Sequence, residues 1–134
     1  MPVKNGNEAL VKLFIEHGAD INKENRYGHS PLMIVLKKKE SLGKFLIEKG
    51  ANVNKGNYQG ETPLLIACQK EYDMLAHILI EKGADVNKSD KFGHTPLHFA
   101  CYRKKGEEKI LKSLNILNKL IEKGADIPIL IRKM

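Results

Sequence analysis

Tryptophan is absent, cysteine occurs only twice, and aromatic residues make up just 6% of this 134-residue chain. Two cysteines, Cys68 and Cys101, build no disulfide framework and are not spaced as a Cys-x-x-Cys pair, which fits a reducing compartment. No apolar run approaches the roughly 20 residues that a membrane-spanning helix needs. The start, Met1-Pro2-Val3-Lys4-Asn5-Gly6, lacks the apolar core of a signal peptide. These absences predict a cytoplasmic or nuclear address with no membrane role. Catalytic signatures are missing too: there is no Gly-x-Ser-x-Gly, no His-Glu-x-x-His, no Walker loop and no Gly-x-Gly-x-x-Gly. The expectation is a protein that is not an enzyme and carries no cofactor.

What is present describes a folded chain. Apolar residues make up 42% and charged residues 29%, enough for one core, so residues 1–134 are expected to form a single domain. The net charge is +7, carried mostly by lysine, and raises nucleic acid or acidic protein as partners. Many lysines, such as Lys49, Lys82 and Lys123, recur at equivalent helix-surface places, where the plain reading is a solvated face.

Two signatures repeat in fixed phase. Gly18-Ala19-Asp20-Ile21-Asn22 returns as Gly50-Ala51-Asn52-Val53-Asn54 and Gly83-Ala84-Asp85-Val86-Asn87, with a fourth copy at Gly124-Ala125-Asp126-Ile127 that departs at Pro128. Ten residues after each of the first three glycines stands a second signature: Gly28-His29-Ser30-Pro31-Leu32, then Gly60-Glu61-Thr62-Pro63-Leu64, then Gly93-His94-Thr95-Pro96-Leu97-His98-Phe99-Ala100. The steps Gly28 to Gly60 and Gly60 to Gly93 are 32 and 33 residues. Ser or Thr before Pro supplies an N-cap oxygen and a proline at the first helical position. A second apolar rhythm follows, as in Leu10, Val11, Phe14, Ile15 and in Ile116, Leu117, Leu120, Ile121, marking the buried stripe of a second helix. Gly18, Gly50, Gly83 and Gly124 then stand where a helix ends in a left-handed residue.

A period near 33 carrying Thr-Pro-Leu-His-x-Ala resembles the ankyrin repeat family over nearly the whole chain. The resemblance implies an all-α solenoid of stacked helix-turn-helix units with projecting β-hairpin or finger loops. The boundaries expected are a partial repeat over 1–27, repeats at about 28–59, 60–92 and 93–127, and an apolar tail over 128–134. In the partial repeat only a second helix, from about Asn7 to Glu16, is expected, with one apolar side lacking its usual partner. Self-association through that open end is one consequence; otherwise a monomer is expected. The second repeat is expected to be one residue short between its helices, around Lys38 to Leu42, and carries Gly43 in a helix interior, which costs about 1 kcal/mol against alanine and predicts the softest repeat. The last repeat runs 31 residues from Gly93 to Gly124, against 23 from Gly60 to Gly83, an insertion of eight. The extra residues, Arg103 to about Leu114, predict a lengthened second helix.

His98 and Cys101 lie three apart on a helix, and Cys68 holds the same repeat position as Cys101. Equivalent places in adjacent repeats lie about 10 Å apart, too far for a disulfide or shared metal shell, so no metal site is expected. In the family the His98 position makes hydrogen bonds inside its own repeat. His29 and His94 follow the finger glycines and are expected to be exposed.

The resemblance also implies a binding face, made from finger tips and the outer side of each first helix. Carried over by position, it selects Arg26, Tyr27, His29, Lys37 and Lys38 in the second repeat. In the third it selects Tyr58, Gln59, Glu61, Gln69 and Lys70, and in the fourth Lys91, Phe92, His94, Tyr102 and Arg103. Six basic side chains against one Glu predict a positive groove that attracts an acidic protein segment. Tyr27, Tyr58, Phe92 and Tyr102 are half of the eight aromatic residues and are of the type that dominates interface energetics; the competing reading is that finger tips tolerate them because no packing constrains them. Two other functions stay open. One is a basic nucleic-acid-binding solenoid, which salt dependence on mixed oligonucleotides would expose. The other is a scaffold that recruits an enzyme through the insertion or the tail.

Overall fold

The computed structural model describes residues 5–38, 40–101 and 107–126, with side chains described for 8–38, 41–101 and 114–126. Among the described residues the order is α1 (Asn5–Glu16), α2 (Pro31–Leu36), α3 (Glu40–Glu48), α4 (Pro63–Gln69), α5 (Asp73–Glu81), α6 (Pro96–Cys101) and α7 (Glu107–Glu122), with no strand. The all-helical solenoid is as expected, and the projecting loops are tight turns.

The short helices α2, α4 and α6 start at the prolines of the repeated motif. Before α2 and α4, Ser30 and Thr62 are extended, and their hydroxyls accept from the N–H groups of Met33 and Leu65 at 3.3 Å. A cap of this kind contributes about 1 kcal/mol. The missing residue of the second repeat is taken from its first helix and not from the connection between its helices as expected, since α2 has six residues and α4 seven while the connections to α3 and α5 are equal in length.

Helices α1, α3, α5 and α7 all end two residues before a glycine of positive φ: Gly18 at 92°, Gly50 at 96°, Gly83 at 91° and Gly124 at 96°. The following alanine N–H reaches back to the last turn, as in Ala84 N to Leu79 O at 3.0 Å, and Gly83 N bonds Ile80 O at 3.0 Å. Only a left-handed residue turns both groups onto those carbonyls.

The helices form two layers: α2, α4 and α6 pack side by side, α3, α5 and α7 do the same, and each pair α2–α3, α4–α5 and α6–α7 closes across the gap. Leu32, Leu36, Leu42, Leu46, Leu64, Ile66, Leu75, Leu79, Ile116 and Leu120 fill that gap with at most 1% exposure. Each contributes about 1.5–3 kcal/mol of burial. Gly43 sits in this interior, where a Cβ would come within 3.0 Å of Leu75 Cδ1 and 3.3 Å of Leu36 Cδ2. The glycine therefore has a packing reason: it lets α3 approach α2 and α5 closely.

Consecutive repeats are also stitched by side chains at the finger bases. Asn22 Oδ1 accepts from Asn52 N at 2.8 Å. Asn54 Oδ1 accepts from Asp85 N at 2.7 Å while its Nδ2 donates to Gly83 O at 3.0 Å. Asn87 repeats this with Asp126 N at 2.7 Å and Gly124 O at 2.9 Å. Asn54 and Asn87 thus supply a donor to a carbonyl just past the next repeat's helix, where chain ends leave carbonyls in need of one.

At the first end, α1 begins at Asn5, two residues earlier than the spacing predicted. Val11 and Ile15 pack against the core, whereas Leu10, Leu13 and Phe14 are 38%, 48% and 52% exposed, the unpartnered apolar side expected of it. At the other end α7 has sixteen residues against nine in α5, about 24 Å against about 14 Å. The insertion therefore lengthens the helix as predicted. Its basic turn over 103–106 and the tail over 128–134 lie outside the described residues.

Candidate partner-binding face

Each finger is folded by one side chain. Asn25 Oδ1 accepts from Tyr27 N at 2.9 Å and His29 N at 3.0 Å. Asn57 does the same for Gln59 N at 2.9 Å and Glu61 N at 3.0 Å, and Asp90 for Phe92 N and His94 N, both at 2.9 Å. This is an Asx turn, closed by a glycine in the left-handed region: Gly28 at 79°, Gly60 at 79° and Gly93 at 83°. Adjacent fingers are joined by backbone bonds, Tyr58 N to Tyr27 O at 3.2 Å and Lys91 N to Gln59 O at 3.0 Å. Tip side chains are therefore displayed from a fixed backbone.

The turns define three columns across the fingers. Counting from the turn-forming residue, the first place holds Arg26, Tyr58 and Lys91, the second Tyr27, Gln59 and Phe92, and the fourth His29, Glu61 and His94. Tyr27 is 54% exposed, Tyr58 72% and Phe92 67%, so the aromatic tips are open to solvent. Tyr58, however, shares its column with the two cations, and its ring lies over Gly28. Arg26 packs its guanidinium on the Tyr27 ring at 4.9 Å, and Lys91 its ammonium on the Phe92 ring at 5.2 Å. His94 is exposed as expected, but His29 is only half-exposed and sits 6.3 Å from the Tyr27 ring.

Along the inner layer, Lys37 and Lys70 cap the C-termini of α2 and α4, with Lys38 and Gln69 beside them, all exposed. Lys37 is not a free cation: its Nζ donates to Glu61 Oε1 at 3.2 Å across the repeat boundary. Lys37, Glu61, Ile66, Gln69 and Lys70 surround one shallow depression between α2 and α4. Arg26, Lys38, Lys70 and Lys91 are the further cations of this face among the described residues. Tyr102 and Arg103 lie outside the described residues.

Two carboxylates are tuned by the fingers. Burial pushes the Glu61 carboxyl up, but the Asn57 amide at 2.8 Å and the Lys37 ammonium outweigh it and hold it below its ordinary value. Asp90 behaves alike: burial raises it, while the backbone N–H of His94, the His94 ring at 3.1 Å and the Phe92 N–H bring it below the usual range.

His98 works inside its own repeat, as the resemblance implied. Thr95 N donates to its Nδ1 at 3.0 Å, and the Thr95 hydroxyl lies 2.8 Å from the same nitrogen. Cys68 is buried, and burial pushes the half-buried Cys101 thiol up, away from the thiolate that ligates or attacks. Among the described residues no three His, Cys, Asp or Glu side chains gather to hold a metal ion. None of the described helices is long and apolar enough to cross a membrane.

The sequence reading passed over Asn25, Asn57 and Asp90, which build the face. Their signal was present: an Asn or Asp three residues before each finger glycine, at Gly28, Gly60 and Gly93.

Two layers of short helices stacked in register, with a row of stiff turns projecting from one edge, define a helical-repeat scaffold. The model of ankyrin repeats (3 copies) matches residues 2–90 and 44–130, and the chain belongs to the ankyrin repeat family. Ankyrin repeats are generally protein–protein interaction modules. No curated protein matches the chain.

Proposed function

We propose that the chain acts without catalysis, by binding an acidic segment of a partner protein on the face formed by the fingers and the inner helices. The observation that carries this reading is the set of exposed finger aromatics, Tyr27, Tyr58 and Phe92, standing among the cations Arg26, Lys38, Lys70 and Lys91. Exposed aromatic rings have no core to fill, and aromatic and arginine side chains dominate interface energetics. Cations around them favour an acidic partner and speed its approach. Rigid turns lower the ordering cost of binding.

An acidic peptide and a neutral peptide of equal length, followed by fluorescence polarisation, test the reading. The acidic peptide is expected to bind more tightly, and to lose most of that advantage when salt rises from about 0.05 M to about 0.3 M. Replacing Tyr58 and Phe92 together by alanine is expected to weaken binding at least tenfold while the melting temperature hardly moves. Equal binding of the two peptides, or an affinity indifferent to the double substitution, overturns the reading. Mixed oligonucleotides binding more tightly than the acidic peptide would replace it with nucleic-acid binding.

A further inference from the structure

The first and third fingers are chemical copies of each other, and the middle one differs. Arg26 and Lys91 occupy one column, Tyr27 and Phe92 the next, His29 and His94 the last. Their geometry matches as well as their chemistry. The cation stands 4.9 Å from the ring centroid in the first finger and 5.2 Å in the third. The ring stands 6.3 Å from its histidine in the first and 6.2 Å in the third, tilted by 47° and 43°. The middle finger offers Tyr58, Gln59 and Glu61, and Glu61 is engaged by Asn57 and Lys37.

We infer that the two outer fingers are paired clamps for one extended acidic segment that carries the same acidic-and-apolar dyad twice. The inference rests on the reading that this face binds an acidic segment, and it adds the form of the segment. In each clamp the cation takes a carboxylate and the adjoining ring takes an apolar side chain. Both must come from one side of the peptide, so the two members of a dyad stand two residues apart, because successive side chains of an extended chain alternate faces.

The spacing between dyads follows from the solenoid. Packed helices lie roughly 8–10 Å apart, so two repeats separate the clamps by roughly 16–20 Å. An extended peptide rises about 3.3 Å per residue, which makes the separation five or six residues. Parity decides between them. An even number keeps both dyads on the same side, so the segment reads acidic-x-apolar, then the same again about six residues later. The backbone bonds from Tyr58 to Tyr27 and from Lys91 to Gln59 hold the clamps at that separation, so the second dyad binds at the high effective concentration set by a short tether.

Peptides with one dyad, and with two dyads of Asp and Leu separated by about four to eight residues in a Ser/Gly background, test this by fluorescence polarisation with the intact chain. The two-dyad peptide at a separation of six is expected to bind at least tenfold more tightly than the one-dyad peptide, with neighbours at five and seven weaker. Replacing Arg26 and Tyr27 by alanine, or Lys91 and Phe92 by alanine, is expected to reduce it to one-dyad affinity and to erase the dependence on spacing. Asn25 and Asp90 remain in these variants to hold the turns. Binding that is indifferent to spacing overturns the paired clamps and leaves the broader reading standing. Failure of every acidic peptide to bind overturns both.

Discussion

The ring of Tyr58 covers Gly28 of the preceding finger so closely that a Cβ built on Gly28 would lie 2.8 Å from Tyr58 Cδ1 and 2.9 Å from Cε1. Gly28 also has φ of 79°, so two demands fall on one residue. Gly50 shares only the second demand, with φ of 96° and nothing within 4 Å of the added carbon. Gly50→Ala is expected to lose about 1 kcal/mol from backbone strain alone. Gly28→Ala is expected to lose more and to shift the Tyr58 ring resonances in an NMR spectrum. An unshifted Tyr58 would mean that the ring does not rest on this finger in solution.

Much of this fold is written in the chain as punctuation. Pro31, Pro63 and Pro96 start helices and Gly18, Gly50, Gly83 and Gly124 stop them because proline and glycine act through local backbone geometry, which sequence carries directly. The contacts between repeats are less legible. Asn54 reads as a turn residue, and only stacking brings it to Gly83 O and Asp85 N. Lys37 counts as a free cation until the middle finger places Glu61 beside it. Gly43 reads as a weak point in a helix until Leu75 is seen to occupy the space its side chain would need. The candidate residues of the face were read by position in the repeat, and counting two residues back from Gly28, Gly60 and Gly93 also puts Tyr58 in the column of Arg26 and Lys91 rather than in that of Tyr27 and Phe92.

Gly43 and Leu75 make a second measurable pair. Alanine at 43 gains about 1 kcal/mol of helix propensity but presses on Leu75 and Leu36, and overpacking of a filled core costs about 1–3 kcal/mol. Gly43→Ala is therefore expected to lower the urea midpoint. In the background of Leu75→Val, which withdraws the colliding methyl, the same change is expected to be stabilising. A double-mutant cycle showing no coupling between the two positions would refute the close approach.

Asn54 holds the third repeat to the second through two bonds of different sense, accepting from Asp85 N and donating to Gly83 O. Each neutral bond contributes about 0.5–1.5 kcal/mol, so Asn54→Ala is expected to lose about 1–2 kcal/mol. The effect should be local before it is global. The Asp85 amide loses its acceptor, and its hydrogen exchange is expected to accelerate more than that of Leu79 in the core. Unchanged exchange at Asp85 would show that the bond does not persist in solution.

Acid should loosen the fingers through two of their carboxylates. Glu61 and Asp90 both titrate lower in the folded chain than their ordinary values of 4.5 and 3.8. A carboxyl depressed by folding binds fewer protons folded than unfolded, so its contribution is complete above the unfolded value and is lost as pH falls through the folded one. Stability is therefore expected to be flat with respect to these two groups at neutral pH and to decline below about pH 4.5. Both are partly exposed, so solvent screens the contribution and keeps each small. Asp90→Asn is the informative substitution, because Asn25 and Asn57 already build the same turn with an amide. It is expected to leave the finger intact, remove the link to His94, and, combined with Glu61→Gln, flatten the decline of melting temperature between about pH 5 and about pH 3. A decline as steep in the double variant as in the parent would place the acid-sensitive groups elsewhere in the chain.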